Sequence, residues 1–381
     1  MIPDNIEVLI IGAGPTGLTA AIALASQGRD VVIIDSQEHT QHTSRAAVVH
    51  SHTLEKLEPY GVSSKLAELG IHTPRFTIRD RDTLLLPVDF DDLPTKYPYT
   101  LMISQATTEA VLLEQLHALG GQVLRPYSLA KLEQTSDDVV ATMTSGEQIR
   151  ASFVIGADGM HSTVREQAGV GFTGGTYDES FVLADVRLEG GVPQNEVILY
   201  FSPAGLVVVA PLPDGSYRIV ATVDQAPEHP NREFVQELLD SRGPQAQPAI
   251  ITDTIWSSRF RVHHRIADNY RAGRIFLAGD AAHVHSPAGG QGMNAGITDA
   301  IALAELMGQA LEHNAPALMD AYNTTRRPVA ENVLTLAGRL TKLATASPAM
   351  RPFRNLMLRA LAKVPSARKR LAWQLSGLVY R

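Results

Sequence analysis

A glycine-rich turn near the N-terminus constrains the fold of this chain more than any other feature. The apolar run Val8–Ile11 predicts a buried strand, and Gly12–Gly17 has the spacing GxGxxG. Small residues from Thr16 to Ser26 predict a helix, and a second apolar run, Val31–Ile34, ends at Asp35. This order of strand, glycine turn, helix, strand and acid is typical of the βαβ unit that binds a dinucleotide in a doubly wound α/β sheet.

Each part of this unit has a physical role toward a ligand that contains a pyrophosphate. Gly12 permits the tight turn out of the strand, Gly14 lets the backbone approach the pyrophosphate, and Gly17 lets helix and strand pack closely. The helix N-terminus favours the negative charge. Asp35 can accept hydrogen bonds from both ribose hydroxyls of an adenosine, and FAD and NAD(P) both fit the unit. The predicted cofactor-contacting residues of the turn are Gly12, Gly14, Pro15, Thr16 and Gly17.

Two later segments share the pattern of an apolar strand that ends in an aspartate beside glycine. They end at Asp158, which precedes a glycine, and at Asp280, which follows one. A parallel sheet delivers such carboxylates to its C-terminal edge, where ligands bind, so Asp280 can reach the hydroxyls of a ribityl chain. The glycine cluster before Met293 predicts a helix whose free N–H groups face an acceptor, such as the pyrimidine edge of an isoalloxazine.

The three segments, in this order and spacing, resemble those of the single-component FAD-dependent aromatic hydroxylases, the p-hydroxybenzoate-hydroxylase-like flavoprotein monooxygenases. The resemblance covers nearly the whole chain and is closest to hydroxylases of aromatic polyketides, substituted phenols and rifamycin-type drugs. It implies an α/β fold, with a Rossmann-like FAD-binding domain around a parallel sheet, an antiparallel β-sheet substrate domain and a C-terminal helical segment.

The same resemblance implies a set of contacts to the flavin. Ser44-Arg45-Ala46 resembles the family's arginine near the flavin and its phosphates, and Gln105 falls on a glutamine that contacts the ribityl-phosphate region. The strand ending near Leu129 would hold the adenine through its backbone. Asp35 stands where the family more often has glutamate, which preserves the ribose contact. The full implied set beyond the glycine turn is Asp35, Arg45, Gln105, Leu129, Asp158, Asp280, Pro287, Gly290, Gly292, Met293 and Asn294.

The implied reaction has two stages. NADPH or NADH reduces FAD, and a flavin C4a-hydroperoxide formed with O2 then transfers oxygen to an electron-rich aromatic substrate. The sequence has no second GxGxxG, and in this family the nicotinamide cofactor docks transiently without its own Rossmann domain. The base that deprotonates a phenol is unassigned. Two candidates for a catalytic role are His52 and Pro287. For His52, as for His50, the alternative is a histidine on a helix surface without a partner. Pro287 could shape the oxygen pocket.

The motifs and the β-rich stretches predict a discontinuous domain organisation. Short β-branched strands separated by Gly, Pro and Asp turns distinguish the substrate region from the alternating strands and helices around the motifs. The predicted FAD-binding domain comprises residues 1–71, 102–171 and 268–331, the substrate domain comprises 72–101 and 172–267, and residues 332–381 form C-terminal helices. The segment 72–101 looks loop-rich, and Tyr200 and Tyr217 are expected in the sheet or core.

Charge is distributed unevenly along the 381 residues. The net charge is −7, yet residues 332–381 contain ten Lys and Arg and no acid, which leaves 23 basic and 40 acidic side chains before them. The acidic body argues against nucleic-acid binding. The basic tail resembles the family's helical cap, which packs on the acidic FAD domain and is followed in longer relatives by a thioredoxin-like domain that would begin where this chain stops. A membrane-surface helix is the alternative.

Several other classes of protein are excluded or disfavoured. The absence of cysteine excludes disulfides, thiolate metal sites and a cysteine nucleophile. The uncharged run Val8–Ala25 is interrupted by glycines and preceded by acids, which disfavours a signal peptide or membrane span and favours a cytoplasmic protein. A monomer or homodimer is expected. Asp280, His283 and His285 could imitate an iron site, but they belong to the flavin motif, so no metal is expected.

Three functional alternatives stay open on the sequence. A flavin-dependent halogenase would need a W-x-W-x-I-P segment, whereas Trp256 is followed by Ser-Ser-Arg-Phe. A flavin-dependent reductase of the geranylgeranyl-reductase type would consume no oxygen, and a non-catalytic flavin-binding module would show no turnover.

Overall fold

The computed structural model describes residues 2–39 and 46–381, with backbone alone for 177–179. Its strands are β1 (Asn5–Ile11), β2 (Val31–Ile34), β3 (Val48–Val49), β4 (Ile71–Thr73), β5 (Arg75–Asp80), β6 (Thr83–Asp89), β7 (Thr100–Met102), β8 (Val123–Leu124), β9 (Leu129–Gln134), β10 (Val139–Met143), β11 (Gln148–Gly156), β12 (Phe172–Gly190), β13 (Glu196–Ser202), β14 (Gly205–Pro211), β15 (Tyr217–Val223), β16 (Ala249–Ala267), β17 (Arg271–Ala272), β18 (Ile275–Leu277) and β19 (His283–Val284). Its α-helices are α1 (Pro15–Ala25), α2 (Ser51–Leu57), α3 (Ser63–Leu69), α4 (Gln105–Ala118), α5 (Thr163–Gln167), α6 (Arg232–Arg242), α7 (Gly292–Glu312), α8 (Asp320–Ala344), α9 (Arg351–Ala362) and α10 (Pro365–Leu375).

A mainly parallel sheet forms the first layer. Its strand order is β17-β18-β11-β1-β2-β8, with β10 and β9 added at β11 by antiparallel pairing. Strand β1 lies at the centre, in parallel register with β2 on one side and β11 on the other. Its residues Val8, Leu9 and Ile10 are fully buried, as expected for a strand covered on both faces. The predicted α/β class and parallel sheet are confirmed, and the uncharged run Val8–Ala25 forms β1 and α1 in this core.

The second sheet is almost wholly antiparallel, with the order β19-β16-β12-β15-β14-β13-β5-β6. The parallel pair β13–β5 is the exception in it. Side chains alternate between its two faces. Val182, Ala184 and Val186 lie on the outer face, where Val235 and Leu239 of α6 cover them. Tyr200 and Tyr217 are buried in the same cluster, as expected.

One expectation about this sheet was wrong, and one of its strands was not predicted. The segment 72–101 is not loop-rich, because it supplies β5 and β6 to this sheet and β4 to a small three-stranded sheet with β3 and β7. The long strand β16, which pairs along most of β12, was not predicted. Exposed and partly buried residues alternate irregularly along β16, so its burial pattern lacks a clean period of two.

The C-terminal helices pack mainly against the second sheet. Both α9 and α10 lie on β6, and Leu358 and Leu375 join a core cluster with Phe76 and Val88. The expectation that the C-terminal helices pack on the FAD domain was therefore wrong for α9 and α10, whose main contact is with β6. Burial of apolar side chains such as Leu358 and Leu375 stabilises this placement more than exposed ion pairs do.

Charge complementarity nevertheless links the basic tail to acidic side chains elsewhere. Arg368 lies 3.6 Å from Asp89, and Lys369 lies 3.5 Å from Asp92. The buried Arg354 guanidinium donates to the carbonyl of Phe201 at 2.7 Å. Burial lowers the pKa of Arg354 to about 10. Among the described residues no helix is both long enough and apolar enough to cross a membrane.

The two sides of α9 lead to a matched pair of stability predictions. Leu358 is 2% exposed and Leu356 is 66% exposed on the same helix. We expect Leu358→Ala to lower the free energy of unfolding by about 2–5 kcal/mol, because it leaves a cavity. Leu356→Ala should change it by less than about 0.5 kcal/mol. Urea unfolding followed by circular dichroism checks both, and equal effects of the two variants would contradict the packing described for α9.

Candidate active site

The glycine turn between β1 and α1 brings backbone segments into very close contact. Gly12 has φ +103°, and a Cβ there would lie 2.4 Å from the carbonyl oxygen of Ala157. A Cβ on Gly17 would lie 1.9 Å from the oxygen of Gly12. A Cβ on Gly14 would meet no atom within 4 Å. Two glycines are therefore required by packing, whereas Gly14, which caps α1, faces open space where a pyrophosphate would approach the helix N-terminus.

Asp35 lies directly after β2, beside this turn. Its carboxylate accepts hydrogen bonds from the N–H of Ala13 at 2.7 Å and from the N–H of Gln37 at 2.7 Å. The Arg125 guanidinium lies 3.2 Å from the same carboxylate. These contacts fix the acid at the edge of the sheet, in the position predicted for binding a ribose. Arg125 was missed, because nothing local in the sequence connects it to Asp35.

Leu129 does not end a strand, as was predicted, but begins β9. Two residues before it, the N–H of Tyr127 donates to the carbonyl of Asp35 at 2.8 Å. The contact of this segment with an adenine stays a prediction. The sequence around Leu129 did not indicate whether the strand lies before or after this residue. Leu129 is buried in the core of the first layer.

Gln105 opens α4 and contacts the segment that precedes β3. Its backbone N–H donates to the carbonyl of Ala46 at 3.0 Å, and its side chain donates to Glu109 at 2.9 Å. Burial raises the pKa of Glu109, although Gln105 and Arg125 oppose that shift. Arg45, predicted near the flavin, lies outside the described residues.

The Asp158 carboxylate accepts hydrogen bonds from groups within the protein. It accepts from the Ser162 hydroxyl at 2.5 Å and from the N–H of Val164 at 3.1 Å, so both oxygens hold the start of α5. Burial raises the pKa of Asp158. Arg165 of α5 donates to the carbonyl of Ala281 at 3.0 Å, and its guanidinium lies 3.9 Å from the ring centroid of Phe172. Arg165 thus ties the second motif to the third.

Thr16 joins the first motif to the third. A Cβ on Gly279 would lie 2.5 Å from the Thr16 hydroxyl oxygen, and one on Gly296 would lie 2.3 Å from it. The hydroxyl therefore fits between the turn after β18 and the first residues of α7. Asp280 is exposed in that turn, at the C-terminal edge of the parallel sheet. All three motifs meet at this edge.

The loop before α7 presents backbone rather than side chains. Gly289 and Gly290 have φ of +85° and +63°, and α7 begins at Gly292, as predicted. The Asn294 side chain is buried. It donates to the carbonyls of Val48 and Gly290 at 3.0 and 2.8 Å, and it accepts from the N–H of His50 at 2.8 Å. Asn294 therefore holds the loop in shape, and its side chain is already used by the protein.

Pro287 and Met293 flank the same loop on either side of the glycines. Pro287 is exposed, whereas Met293 is half-buried and packs against the core of the first layer. The contact of either residue with a flavin ring stays a prediction.

His50 and His52 are not on a helix surface, as the alternative interpretation of His52 supposed. Both are buried, and the imidazole Nε2 of His50 lies 2.9 Å from the carbonyl oxygen of Gly289. The N–H of His52 donates to the carbonyl of Ser376 at 3.1 Å, which places His52 beside residues 375–381, the end of α10 and the turn after it, here called the C-terminal turn. Burial lowers the pKa of each to about 4, so both are neutral at pH 7. This burial depends on residues more than 200 positions away, so the sequence carried no signal of it.

A buried ionic cluster lies behind the third motif. The imidazole Nε2 of His283 lies 2.7 Å from the carboxylate of Asp299, and Arg326 donates to the other oxygen at 2.8 Å. Burial alone would raise the pKa of Asp299, but Arg326 and His283 hold it below its usual range. His283 is thus engaged away from Asp280. Within residues 2–39 and 46–381, no three His, Asp or Glu side chains are grouped as metal ligands.

An ion pair of the second sheet lies on the face that contacts the segment before β3. Arg218 donates to both oxygens of Asp185 at 2.7 Å, and a third hydrogen bond at 3.1 Å reaches the carbonyl of Ala46. Arg218 is 3% exposed. This pair identifies the inner face of the sheet, because Ala46 belongs to the segment that approaches the glycine loop. Arg218 was not predicted as a site residue.

The buried histidines predict a pH dependence of stability. Burial lowers the pKa of His50, His52 and His285 to about 4 in the folded protein. The unfolded chain binds these protons near pH 6.5, so the free energy of unfolding should fall as the pH drops from about 6.5 toward 4. Each histidine should account for about 2 kcal/mol at pH 5. Urea unfolding from pH 7.5 to 5, with a fixed excess of FAD, measures the slope.

The control for this dependence is a matched histidine variant. His50→Gln should reduce the slope, whereas His117→Gln, at an exposed position on α4, should leave it unchanged. A flat stability profile between pH 7.5 and 5 in the unmodified protein would contradict the burial of these imidazoles.

Substitutions at two glycines of this turn should have different effects, one on cofactor binding and the other on stability. Gly14→Val should fold, since its side chain points into open space, and should lose at least about tenfold in FAD affinity by blocking the pyrophosphate. Gly17→Ala should lower the thermal midpoint of the apoprotein, because its Cβ would overlap the oxygen of Gly12. Flavin fluorescence titration and thermal unfolding distinguish the two effects. Full FAD affinity in the Gly14→Val variant would place the pyrophosphate elsewhere.

Comparison with known proteins agrees with this geometry. Residues 5–337 match the family described as FAD binding domain. The chain is 36% identical to 6-methylpretetramide 4-monooxygenase of Streptomyces rimosus over 91% of this chain and 63% of that protein. It is 32% identical to 12-dehydrotetracycline 5-monooxygenase/anhydrotetracycline 6-monooxygenase of Streptomyces rimosus subsp. rimosus over 98% of this chain and 77% of the relative.

The fold also matches a solved structure over its full length. The crystal structure of p-nitrophenol 4-monooxygenase from Pseudomonas putida DLL-E4 superposes with a TM-score of 0.89 and 27% identity, covering 98% of both chains. The relatives named above are aromatic monooxygenases and give no support to a reductase. The chain therefore belongs to the FAD-binding family of flavin-dependent aromatic monooxygenases.

Proposed function

We propose that this protein binds FAD and hydroxylates an electron-rich aromatic compound, phenolic or polycyclic, with O2 and with electrons from NADPH or NADH. The observation that carries the proposal is the meeting of the three motifs at one edge of the parallel sheet, through the contacts of Thr16 and Arg165. The substrates named for the relatives, a pretetramide, a dehydrotetracycline and a nitrophenol, support an aromatic substrate class.

The proposal assigns a flavin dinucleotide to the residues at this edge. In the proposal, Asp35 binds the ribose of the adenosine, the N-terminus of α1 at Gly14 receives the pyrophosphate, and Gln105 approaches the ribityl phosphate. Asp280 binds ribityl hydroxyls. FAD, when bound, supplies electron transfer and oxygen activation, which side chains do not provide. The backbone at Gly290, Gly292 and Met293 would receive the flavin ring, with Pro287 beside it.

The N-terminus of α7 suits the reduced ring in particular. Free N–H groups at a helix start stabilise negative charge that develops on an adjacent acceptor. Hydrogen bonds of the Asn294 side chain to His50 and to the carbonyl of Gly290 hold this loop in shape. Preorganised donors of this kind exclude the cost of reorienting water during the reaction.

The inner face of the second sheet supports an aromatic substrate. Phe181 and Leu183 alternate with the outer residues of β12, so they lie on the same face as Asp185. Phe181 stacks on Phe260 with ring centroids 5.6 Å apart. Apolar walls with few polar groups bind aromatic ligands and exclude water from reactive oxygen species. The Arg218–Asp185 pair is the polar element that we propose orients the substrate.

The remaining proposals concern organisation and location. The cofactor-binding unit is proposed to comprise residues 1–71, 102–171 and 268–331, with 72–101 and 172–267 as the substrate unit. The nicotinamide donor would bind transiently, in line with the single GxGxxG of the sequence. We place the protein in the cytoplasm, as a monomer or homodimer.

Turnover measurements test this function. We expect holoenzyme to oxidise NADPH or NADH slowly alone and at least about tenfold faster with an accepted phenol or polycyclic aromatic, because substrate binding completes the site. Oxygen uptake and hydroxylated product should rise with it in equal amounts. The Gly14→Val variant serves as the flavin-depleted control.

Two results would contradict the proposal. Stimulated NADPH oxidation without oxygen uptake would indicate a reductase. No turnover with either nicotinamide donor across a broad panel of aromatic compounds, by protein that retains FAD, would indicate a flavin-binding module.

A further inference from the structure

One surface helix exposes an apolar stripe that nothing described so far explains. Six of the thirteen large hydrophobic side chains that are exposed in the described part of the chain lie between residues 350 and 364. Phe353 is 64% exposed and Leu356 is 66% exposed. The members, here called the α9 stripe, are Met350, Phe353, Leu356, Met357, Leu361 and Val364.

The stripe follows the period of the helix. Within α9, spacings of three or four residues link Phe353 to Leu356 and Met357, and Met357 to Leu361, so these four share one side of the helix. Met350 and Val364 flank the two ends of α9. A different side of α9 is already buried, since Arg354 and Leu358 are within the core that includes Phe201. The helix is thus fixed in orientation by its packing, and the stripe cannot turn inward without breaking the Arg354 contact to Phe201. Contiguous exposed apolar surface of this kind marks an interaction site.

Basic side chains border the stripe. Arg359 and Lys363 are exposed on α9 and just after it, and among the described residues neither lies within ion-pair distance of an acid. Elsewhere in the tail, Arg368, Lys369 and Arg381 do have acidic partners. No acid occurs from residue 332 to 381. The exposed side of α9 therefore combines an apolar stripe with uncompensated positive charge.

We propose that the α9 stripe docks on an anionic lipid bilayer surface. A helix that lies in the bilayer interface inserts apolar side chains such as Phe353 and Leu356 among the acyl chains and places Arg359 and Lys363 at the headgroups. The net charge of −7 does not oppose this contact strongly, since charges farther from the surface than a Debye length of about 8 Å are screened at physiological salt.

A second copy of the chain fits this surface less well. Symmetric self-association would place the same patch on both partners, so Arg359 and Lys363 of each copy would be brought near those of the other. Like charges facing each other across an interface oppose association. An anionic bilayer meets both properties of the patch at once, with apolar interior for the stripe and phosphate for its basic border.

Vesicle sedimentation tests the proposal. Holoprotein should sediment with vesicles of phosphatidylcholine and phosphatidylglycerol at 3:1, bind vesicles of phosphatidylcholine alone much less, and dissociate at high salt. Phe353→Ser with Leu356→Ser should weaken vesicle binding by at least about tenfold, as should Arg359→Glu with Lys363→Glu. The flavin absorbance and thermal midpoint of both double variants should match those of the unmodified holoprotein, because the replaced side chains are exposed.

Matched controls have the same chemistry elsewhere on the surface. Ile250→Ser with Ile255→Ser removes two exposed apolar side chains from β16, and Lys65→Glu with Lys131→Glu makes an equal change in charge. Both should leave vesicle binding unchanged. The proposal is overturned if unmodified holoprotein stays in the supernatant with anionic vesicles, or if the controls weaken binding as much as the stripe variants. It is also overturned if the stripe variants convert a dimer to a monomer in sedimentation velocity while vesicles bind none of the proteins.

Discussion

Close backbone packing at the C-terminal edge of β1 is the constraint on which the rest of the structure depends. The approach of Gly17 to the oxygen of Gly12 leaves no space for any side chain, and a Cβ on Gly12 would lie 2.4 Å from the oxygen of Ala157, just after β11. Because α1 lies so near the sheet, its N-terminus and the ends of β1, β2, β11 and β18 reach one common edge. A ligand with a long dinucleotide body can then be held by residues from widely separated parts of the chain.

Hydrogen bonds of buried polar side chains fix the loops around this edge of the sheet. Arg165 spans 116 residues to reach Ala281, and Arg218 spans 172 residues to reach Ala46. Asn294 joins α7 to the segment around β3. A buried polar group without a partner is costly, so each of these contacts specifies one arrangement of the loops rather than merely adding stability. The exposed groups at the edge, such as Asp280, remain on the ligand side of this framework.

The parts of the site that were predictable from the sequence are those with local signals. The β1–α1–β2 unit and the start of α7 at Gly292 follow from apolar runs, glycine spacing and a terminal acid. Helix α1 begins at Pro15, one residue earlier than predicted. Arg125 and Asp299 could not be assigned roles, because their partners are distant in sequence. The burial of His52 and the placement of α9 on β6 were equally inaccessible, since each depends on which apolar surfaces meet in the folded chain.

The glycine loop before α7 is supported by the C-terminal turn. The Gln291 side chain donates to the carbonyl of Leu375 at 3.1 Å, and Ser376 accepts the N–H of His52 at 3.1 Å. These hydrogen bonds couple the ordering of the C-terminal turn to the ordering of the loop before α7. By reciprocity, a change that tightens the turn would increase the affinity of the loop for a ligand, and a ligand bound at the loop would stabilise the turn by the same free energy. Under the proposed function, the C-terminal turn would therefore contribute to cofactor binding through the loop that it supports.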